Sequence, residues 1–371
     1  MATEKQIREA LHTVRDPEIG KPIDDLGMLK GVEIQDGLVR VHVLLTVPGC
    51  PLKDRINDDV TNALAGLEGI ERIEVNLTPM TEEQRQTLVT GLRGSVAAES
   101  PTFFTEGDTQ VIAVASGKGG VGKSSVTVNL AAALASEGHR VGVLDADVWG
   151  FSVPRMMGVT DGKPVAFNNM ILPLESHGVK VISMGFFVSD ETPVIWRGPM
   201  LHKALAQFLG DVYWGDLDYL LVDMPPGTGD VSLSLASFLP GGSMVVVTTP
   251  QDAARKVAER AGRMAQHPNV KMRLLGVIEN MAGYVCPHCG EITDLFGTGG
   301  GEKTAETLDV PFLGKIPLQP TLREASDEGT PIVVREPDSP AGEALRGVAD
   351  ALTKQVQSKL GKPLSLSVQP R

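Results

Sequence analysis

The chain has 371 residues and a formal net charge of −12, with no stretch of clustered Lys and Arg of the kind a phosphate backbone demands, so nucleic acid is excluded as a general partner. No apolar run approaches the ~18 residues of a membrane span, and a membrane is not expected as a partner either. Three cysteines are too few for a disulfide scaffold, which points to a reducing, cytoplasmic interior and a metal or redox use for the closely spaced pair.

At ~150 residues per domain the length implies two or three domains. Ile7, Ala10, Leu11 and Val14 recur at helical spacing and predict an opening amphipathic helix ending near Asp16 and Pro17. Residues 31–34 and 38–45 flank an Asp36-Gly37 turn, and Val39, Val41 and Val43 alternate with Arg40 and His42 as a half-buried hairpin strand does. Leu52, Ile56, Val60, Ala63, Leu64 and Leu67 describe a second helix, and Ile73, Val75 and Leu77 a last strand. The order α-β-β-α-β makes a small α+β domain over residues 1–90. Just before its second helix stands Cys50, where the helix dipole favours a thiolate. Cys50 is either a reactive thiol or a cysteine filling a tight turn.

Residues 91–108, mixed in small and polar types without a sustained period, read as a linker. Residues 109–360 are expected to form the main domain, and 361–371 a tail. The apolar strand 111–115 runs into Gly117, Lys118, Gly119, Gly120, Val121, Gly122, Lys123, Ser124 and Ser125, and then into a helix over 124–137. This is G-x-x-x-x-G-K-[ST] in its required strand, loop and helix setting. The glycines let backbone N–H groups close on the phosphates of ATP, Lys123 supplies a cation, and Ser124 offers a hydroxyl to Mg2+. Lys118, directly after the first glycine, narrows the form. It resembles the deviant Walker A ATPases, the group of MinD, ParA and the nitrogenase iron protein, in which this lysine reaches the partner subunit's nucleotide. The plainer reading of Lys118 is a solvated loop cation.

The strand 140–144 delivers Asp145 and Asp147 beside the phosphate loop, placed for Mg2+ and water unless one of them caps the following turn. The resemblance implies that Asp145 lies near the metal and that Asp147 orients the attacking water. The apolar run 219–223 ends in Asp223, the Walker B pattern and a further candidate for Mg2+, and the loop 225–230 can present the N–H of Gly227 to the terminal phosphate. Two more apolar strands, 244–249 and 274–279, precede Asn280, which resembles the asparagine that reads adenine in this class, or is an ordinary strand-end turn residue. The alternation of strands and helices predicts an α/β, doubly wound, mostly parallel sheet with the nucleotide at the strands' carboxyl ends.

Cys286, Pro287, His288 and Cys289 follow, and C-x-x-C spacing lets both sulfurs bind one centre. A tetrahedral zinc or a 4Fe-4S cluster wants four ligands, and the chain has no second C-x-x-C. Two chains each donating a pair, a dithiol redox couple, or a zinc knuckle completed by residues such as His288 would each explain the shortfall. His288 is expected to be a spacer.

With the stretch 280–301, the WRGPM at 196–200 and the LDYLLVDMPPGTGD at 217–230, the chain resembles the Mrp-type (ApbC-like) iron-sulfur cluster carrier ATPases over most of its length. Its N-terminal domain, with DPE at 16–18, DDLG at 24–27 and TVPGCP at 46–51, resembles the small domain of iron-sulfur protein maturation. The resemblance implies a homodimer that bridges a 4Fe-4S cluster on Cys286 and Cys289 of both chains, takes it from a cluster assembly scaffold and passes it to apo-proteins. It also implies slow ATP hydrolysis that sets the dimer's conformation. Trp149 and Phe151 depart from the family pattern, which has a tyrosine and a proline there, and so does the segment 252–272.

Three alternatives differ in class. A MinD- or ParA-like positioning ATPase calls for a strongly amphipathic basic C-terminal helix, whereas 342–360 carries a modest stripe of Leu345, Val348, Leu352 and Val356 expected to pack on the core. A nitrogenase-like reductase needs cysteines on separate loops. A regulatory ATPase with a structural zinc site keeps the pair and changes its cargo.

Overall fold

The computed structural model describes residues 2–17, 19–35, 37–46, 53–67, 69–93, 109–147, 150–167, 170–187, 198–239, 241–267, 270 and 272–360. Cys50, Trp149, the first two residues of the WRGPM stretch and the tail 361–371 lie outside these. The chain forms two compact units, residues 1–99 with 165–172 and 211–213, and the remainder.

In the first unit, α1 (Glu4–Leu11) starts from Thr3, whose hydroxyl accepts from the Gln6 N–H while the Gln6 side chain accepts from the Thr3 N–H, a reciprocal cap. β1 (Leu29–Gln35) and β2 (Leu38–Leu45) make the antiparallel hairpin. α2 (Lys53–Leu64) leads to β3 (Arg72–Pro79), which joins β2 in parallel. The predicted alternation holds: Val39, Val41 and Val43 are buried, together with Ile7, Leu11, Ile56, Val60 and Leu64 of the two helices. A helix absent from the expected order, α3 (Glu82–Arg93), runs into the first residues of the stretch read as a linker, with Leu88 buried and Gly91 tolerated within it.

The second unit opens with β4 (Gln110–Ser116), α4 (Lys123–Ser136), β5 (Val141–Asp145) and the short α5 (Val153–Met156). The hairpin of β6 (Val165–Phe167) and β7 (Met170–Leu172) counts with the first unit, where Met170 and Leu172 join the core. There follow β8 (Leu174–Ser176), β9 (Val179–Ser183), α6 (Gly198–Gly210), β10 (Tyr219–Asp223), α7 (Asp230–Ser237), β11 (Ser243–Thr248) and α8 (Asp252–Ala265). The chain continues through β12 (Arg273–Val285), β13 (Ile292–Thr293), α9 (Gly300–Leu308), β14 (Phe312–Leu318), α10 (Pro320–Asp327), α11 (Ile332–Arg335) and α12 (Pro340–Leu360).

One nine-stranded sheet, in the order β13-β12-β11-β4-β10-β5-β9-β8 with β14 also on β12, organises this unit. It is parallel from β12 to β9, with antiparallel additions at β8 and β13. β5, β10 and β11 are buried along their whole length, as strands covered on both faces must be. α4 is buried on nearly every side because it lies between the sheet and α11 and α12, with Val126, Val128, Leu130 and Leu134 at most 1% exposed. Leu345, Val348, Leu352 and Val356 of α12 are buried in the same core, as expected. Among the described residues no helix is long and apolar enough to cross a membrane.

Candidate nucleotide and cysteine sites

The cavity at the carboxyl ends of the strands has a volume of about 430 Å³. Lys118, Gly119, Gly120, Val121, Gly122, Lys123, Ser124, Ser125 and Asp147 line it, with Ser116, Gly150, Ser152, Met156 and Pro226. The backbone forces glycine at two of these positions. Gly120 and Gly122 sit at φ +77° and +79°, the left-handed region, and a Cβ on Gly122 would lie 2.2 Å from Asn280 Nδ2. At Gly117 the obstacle is the α8 backbone, with the Val257 carbonyl carbon 2.3 Å from where a Cβ would stand. Gly122 caps α4 without a side-chain bond, so the helix's first N–H groups face the cavity, as an anion site requires.

Parallel pairing brings three polar strand ends level: Asp223 of β10 pairs with Asp145 of β5, which pairs with Ser183 of β9. Asp223, fully buried, accepts from Lys123 Nζ at 2.7 Å, Ser124 Oγ at 2.6 Å and Thr127 Oγ1 at 2.8 Å. Three donors compensate its burial. Asp145 is equally buried and accepts from Ser183 Oγ at 2.9 Å and from the Asp147 N–H at 3.2 Å. Burial and the neighbouring charge of Asp223 push the Asp145 carboxyl up to about 7, against the pull of the Ser183 bond and the Lys123 charge. Asp147 is buried at the cavity wall, and its Oδ1 accepts from the Gly150 N–H at 3.2 Å. Two neighbouring buried carboxylates beside a helix N-terminus without a side-chain cap suit a divalent cation, since oxygen ligands of this kind are what Mg2+ takes.

Two expected contacts differ. The Gly227 N–H donates to the Ser116 carbonyl at 2.8 Å, so it is turned onto the end of β4 and not into the cavity. A strand-end carbonyl needs a donor, and this loop supplies it. Asn280, 5% exposed, donates from Nδ2 to the Val121 carbonyl at 2.9 Å, which ties β12 to the phosphate loop. The next residue, Met281, is at φ +59°.

Thr127, Ser183 and Glu279 escaped the sequence reading. Thr127 lies three residues after Ser124, the spacing that stacks two hydroxyls on one helix face, so this one was open to detection. Ser183 could be found only from the register of β9. Buried Glu279 accepts from the Gly301 N–H at 2.6 Å and so holds the start of α9. Phe151, where the family pattern has proline, packs over Gly185, whose Cβ would stand 2.4 Å from its ring.

β12 ends at Val285, and the chain turns back through residues 286–291 into β13, pairing Val285 with Ile292 and Tyr284 with Thr293. Cys286 and Cys289 occupy that exposed tip. The turn closes by Gly290 N–H to the Cys286 carbonyl at 2.9 Å and Cys286 N–H to the Glu291 carbonyl at 3.0 Å. Hydrogen bonds from the Cys289 and His288 amides and from the Cys289 thiol lower the Cys286 pKa, favouring a thiolate ready to ligate. The structure thus assembles the phosphate loop, Asp145, Asp147, Asp223 and Asn280 in one place, and puts the two cysteines together elsewhere on the same unit.

A family model described as "NUBPL iron-transfer P-loop NTPase" matches residues 108–353, and one described as "Iron-sulfur cluster assembly protein" matches residues 4–77. Relatives named iron-sulfur cluster carrier protein include those of Mycobacterium tuberculosis, 51% identical over 97% of this chain and 96% of theirs, and Bacillus subtilis, 41% identical over 97% and 99%. A nucleotide-binding protein from Archaeoglobus fulgidus, solved with ADP, is 39% identical over 64% of this chain and 92% of its own, with a TM-score of 0.55. The cell division ATPase MinD of Pyrococcus furiosus shares the fold at 23% identity, with 66% and 98% covered and a TM-score of 0.50. The chain belongs to the iron-sulfur cluster carrier family of P-loop NTPases.

Proposed function

We propose that the protein binds an iron-sulfur cluster as cargo on Cys286 and Cys289 and passes it to apo-proteins, with slow ATP hydrolysis setting the conformation of a cluster-bridged homodimer. The observation that carries this reading is that one strand, β12, holds the phosphate loop through Asn280 and six residues later delivers Cys286. A change at the nucleotide is thereby transmitted to the cysteine tip without crossing a domain boundary. Since the tip offers two sulfurs and a 4Fe-4S cluster takes four, a second copy supplies the remainder.

At the phosphate site the loop amides and Lys123 bind the β- and γ-phosphates of ATP. Ser124 and Asp145 would hold Mg2+, with Asp223 fixing the Ser124 hydroxyl, and the ion would neutralise charge on the phosphates. Asp147 orients the attacking water, and Lys118 serves the partner subunit's nucleotide. The small domain and Cys50 are assigned no step.

The test is the absorbance spectrum and metal content of anaerobically purified protein, followed by mixing with an apo iron-sulfur enzyme. A cluster spectrum, about four irons per two chains and regained enzyme activity support the carrier. Zinc alone, with no cluster taken up on reconstitution, would mean a regulatory ATPase with a structural metal.

A further inference from the structure

The cysteine tip is flanked by apolar surface that the carrier chemistry does not use. Six large hydrophobic side chains are strongly exposed among the described residues, and three of them are Ile292, Leu295 and Phe296, at 65%, 56% and 37%. Isolated exposed hydrophobics need no explanation, but half of them gathered within five residues do. The geometry points to this hairpin and the turn after it as the seal of the bridged cluster: Ile292, Leu295 and Phe296 of one chain pack against the same segment of a second copy and shield the cargo from water.

The inference rests on the bridging reading, and the ladder gives it its location. Ile292 stands directly opposite Val285, the residue before Cys286. Opposed residues lie ~5 Å apart and chain neighbours 3.8 Å, so Ile292 is within about 10 Å of Cys286. Ligands of one centre must approach that closely, and when they come from two chains, side chains beside them cannot avoid the partner. A two-fold axis through the cluster requires the same patch from both chains. An apolar face is complementary to its own copy, whereas a patch of one charge is not. The Ile292 side chain is also held in place: it lies over Gly283, at φ +82°, where a Cβ would stand 2.7 Å from Ile292 Cγ2. Solvent exposure is one of the factors that set a cluster's potential, so covering it changes its lifetime as well as its affinity.

The experiment compares full-length wild type with the Leu295→Asp/Phe296→Asp and Ile292→Asp variants, and with Leu295→Met. Each is reconstituted anaerobically, and iron content, mass in solution, resistance of the cluster to a chelator and ATP binding are measured. The Asp variants are expected to bind ATP normally, raise the dissociation constant of the loaded dimer by ~100-fold and lose the cluster to chelator ~10-fold faster, with Leu295→Met close to wild type. An Asp variant whose dimer and cluster are as durable as wild type would overturn the seal. So would one that keeps both and fails only in delivery, because the face would then belong to the recipient protein. Four irons on a wild-type monomer would instead sink the bridging reading itself.

Discussion

The phosphate cavity and the cysteine tip lie on one unit yet are built in opposite ways. Around the cavity, charged groups are buried and compensated within the chain: Lys123 is 6% exposed, Asp223 and Asp145 are inaccessible, and each carboxylate has named donors. At the tip, residues 287–298 are exposed throughout, and the turn is closed by a few backbone bonds. The first site has its buried charges paired within a single chain. The second offers half a ligand set and an uncovered apolar flank. Preorganisation thus belongs where phosphate must be recognised, and openness where cargo must enter and leave.

Breaking the closed site should have the largest effect. Lys123→Ala leaves Asp223 buried without its charge partner, a change worth about 3–5 kcal/mol in other buried pairs. It should abolish ATP binding and lower the thermal midpoint, both readable by nucleotide titration and calorimetry. Lys118→Ala touches no buried pair and should retain ATP while losing hydrolysis. Equal loss of affinity in the two variants would show that Lys118 is part of the binding site and not a residue that serves the partner subunit.

The open site should break without disturbing the closed one. Cys286→Ser or Cys289→Ser is expected to lose the cluster and dissociate more readily while ATP affinity stays within about two-fold, because no phosphate-loop contact involves the tip. Cys50→Ser should keep the cluster. Loss of iron on changing Cys50 alone would move the cargo site to the other unit.

Intermediate effects sharpen the comparison. Asp147→Asn should slow hydrolysis by ~100-fold or more with ATP still bound, as removal of a water-orienting group does. Asn280→Ala removes a buried bond to Val121 and should cost about 1–3 kcal/mol in stability and loosen the loop. If coupling runs along β12, that variant also loses any difference in ATPase rate between cluster-loaded and cluster-free protein. A rate difference that survives would place the coupling elsewhere.

How far the sequence revealed these two sites follows from the range of the interactions. The phosphate loop was legible because strand, glycines, Lys123 and Ser124 are contiguous, and the cysteine pair because its spacing is local. β2 and the stripe on α12 were legible from period alone, and β10 from an unbroken apolar run ending in an acid. Illegible were contacts between residues far apart in the chain, such as Asn280 to Val121 at a separation of 159 and Thr127 to Asp223 at 96. Periodicity says which face is buried and nothing of what meets it. The three-residue strands β6, β7 and β8 are too short to show any period, and Gly227's partner depends on where β4 ends. Nothing in the sequence singles out Ile292, Leu295 and Phe296, because their exposure depends on where the fold ends around them.

The smallest effect is expected at the opposite end of the sheet, where a pair serves neither site and so provides a control. Arg140 binds Asp218 from Nη2 at 2.7 Å and Nε at 3.2 Å, and its backbone N–H donates to the same carboxylate at 2.8 Å. These bonds, chiefly the guanidinium's, hold the Asp218 carboxyl down at about 2. Its folded pKa is below the unfolded value of ~3.9, so the stabilisation is fully present above pH ~4 and disappears as pH falls through about 2. Both side chains are substantially exposed, so solvent screens the pair, and Asp218→Asn should lower the thermal midpoint by at most ~3 °C. That difference should be constant from pH 7 to 5 and narrow below 4 in melts of the two proteins, with ATP binding and cluster content unchanged. A difference that widened on acidification would mean that Asp218 is destabilised when ionised, contrary to its three donors.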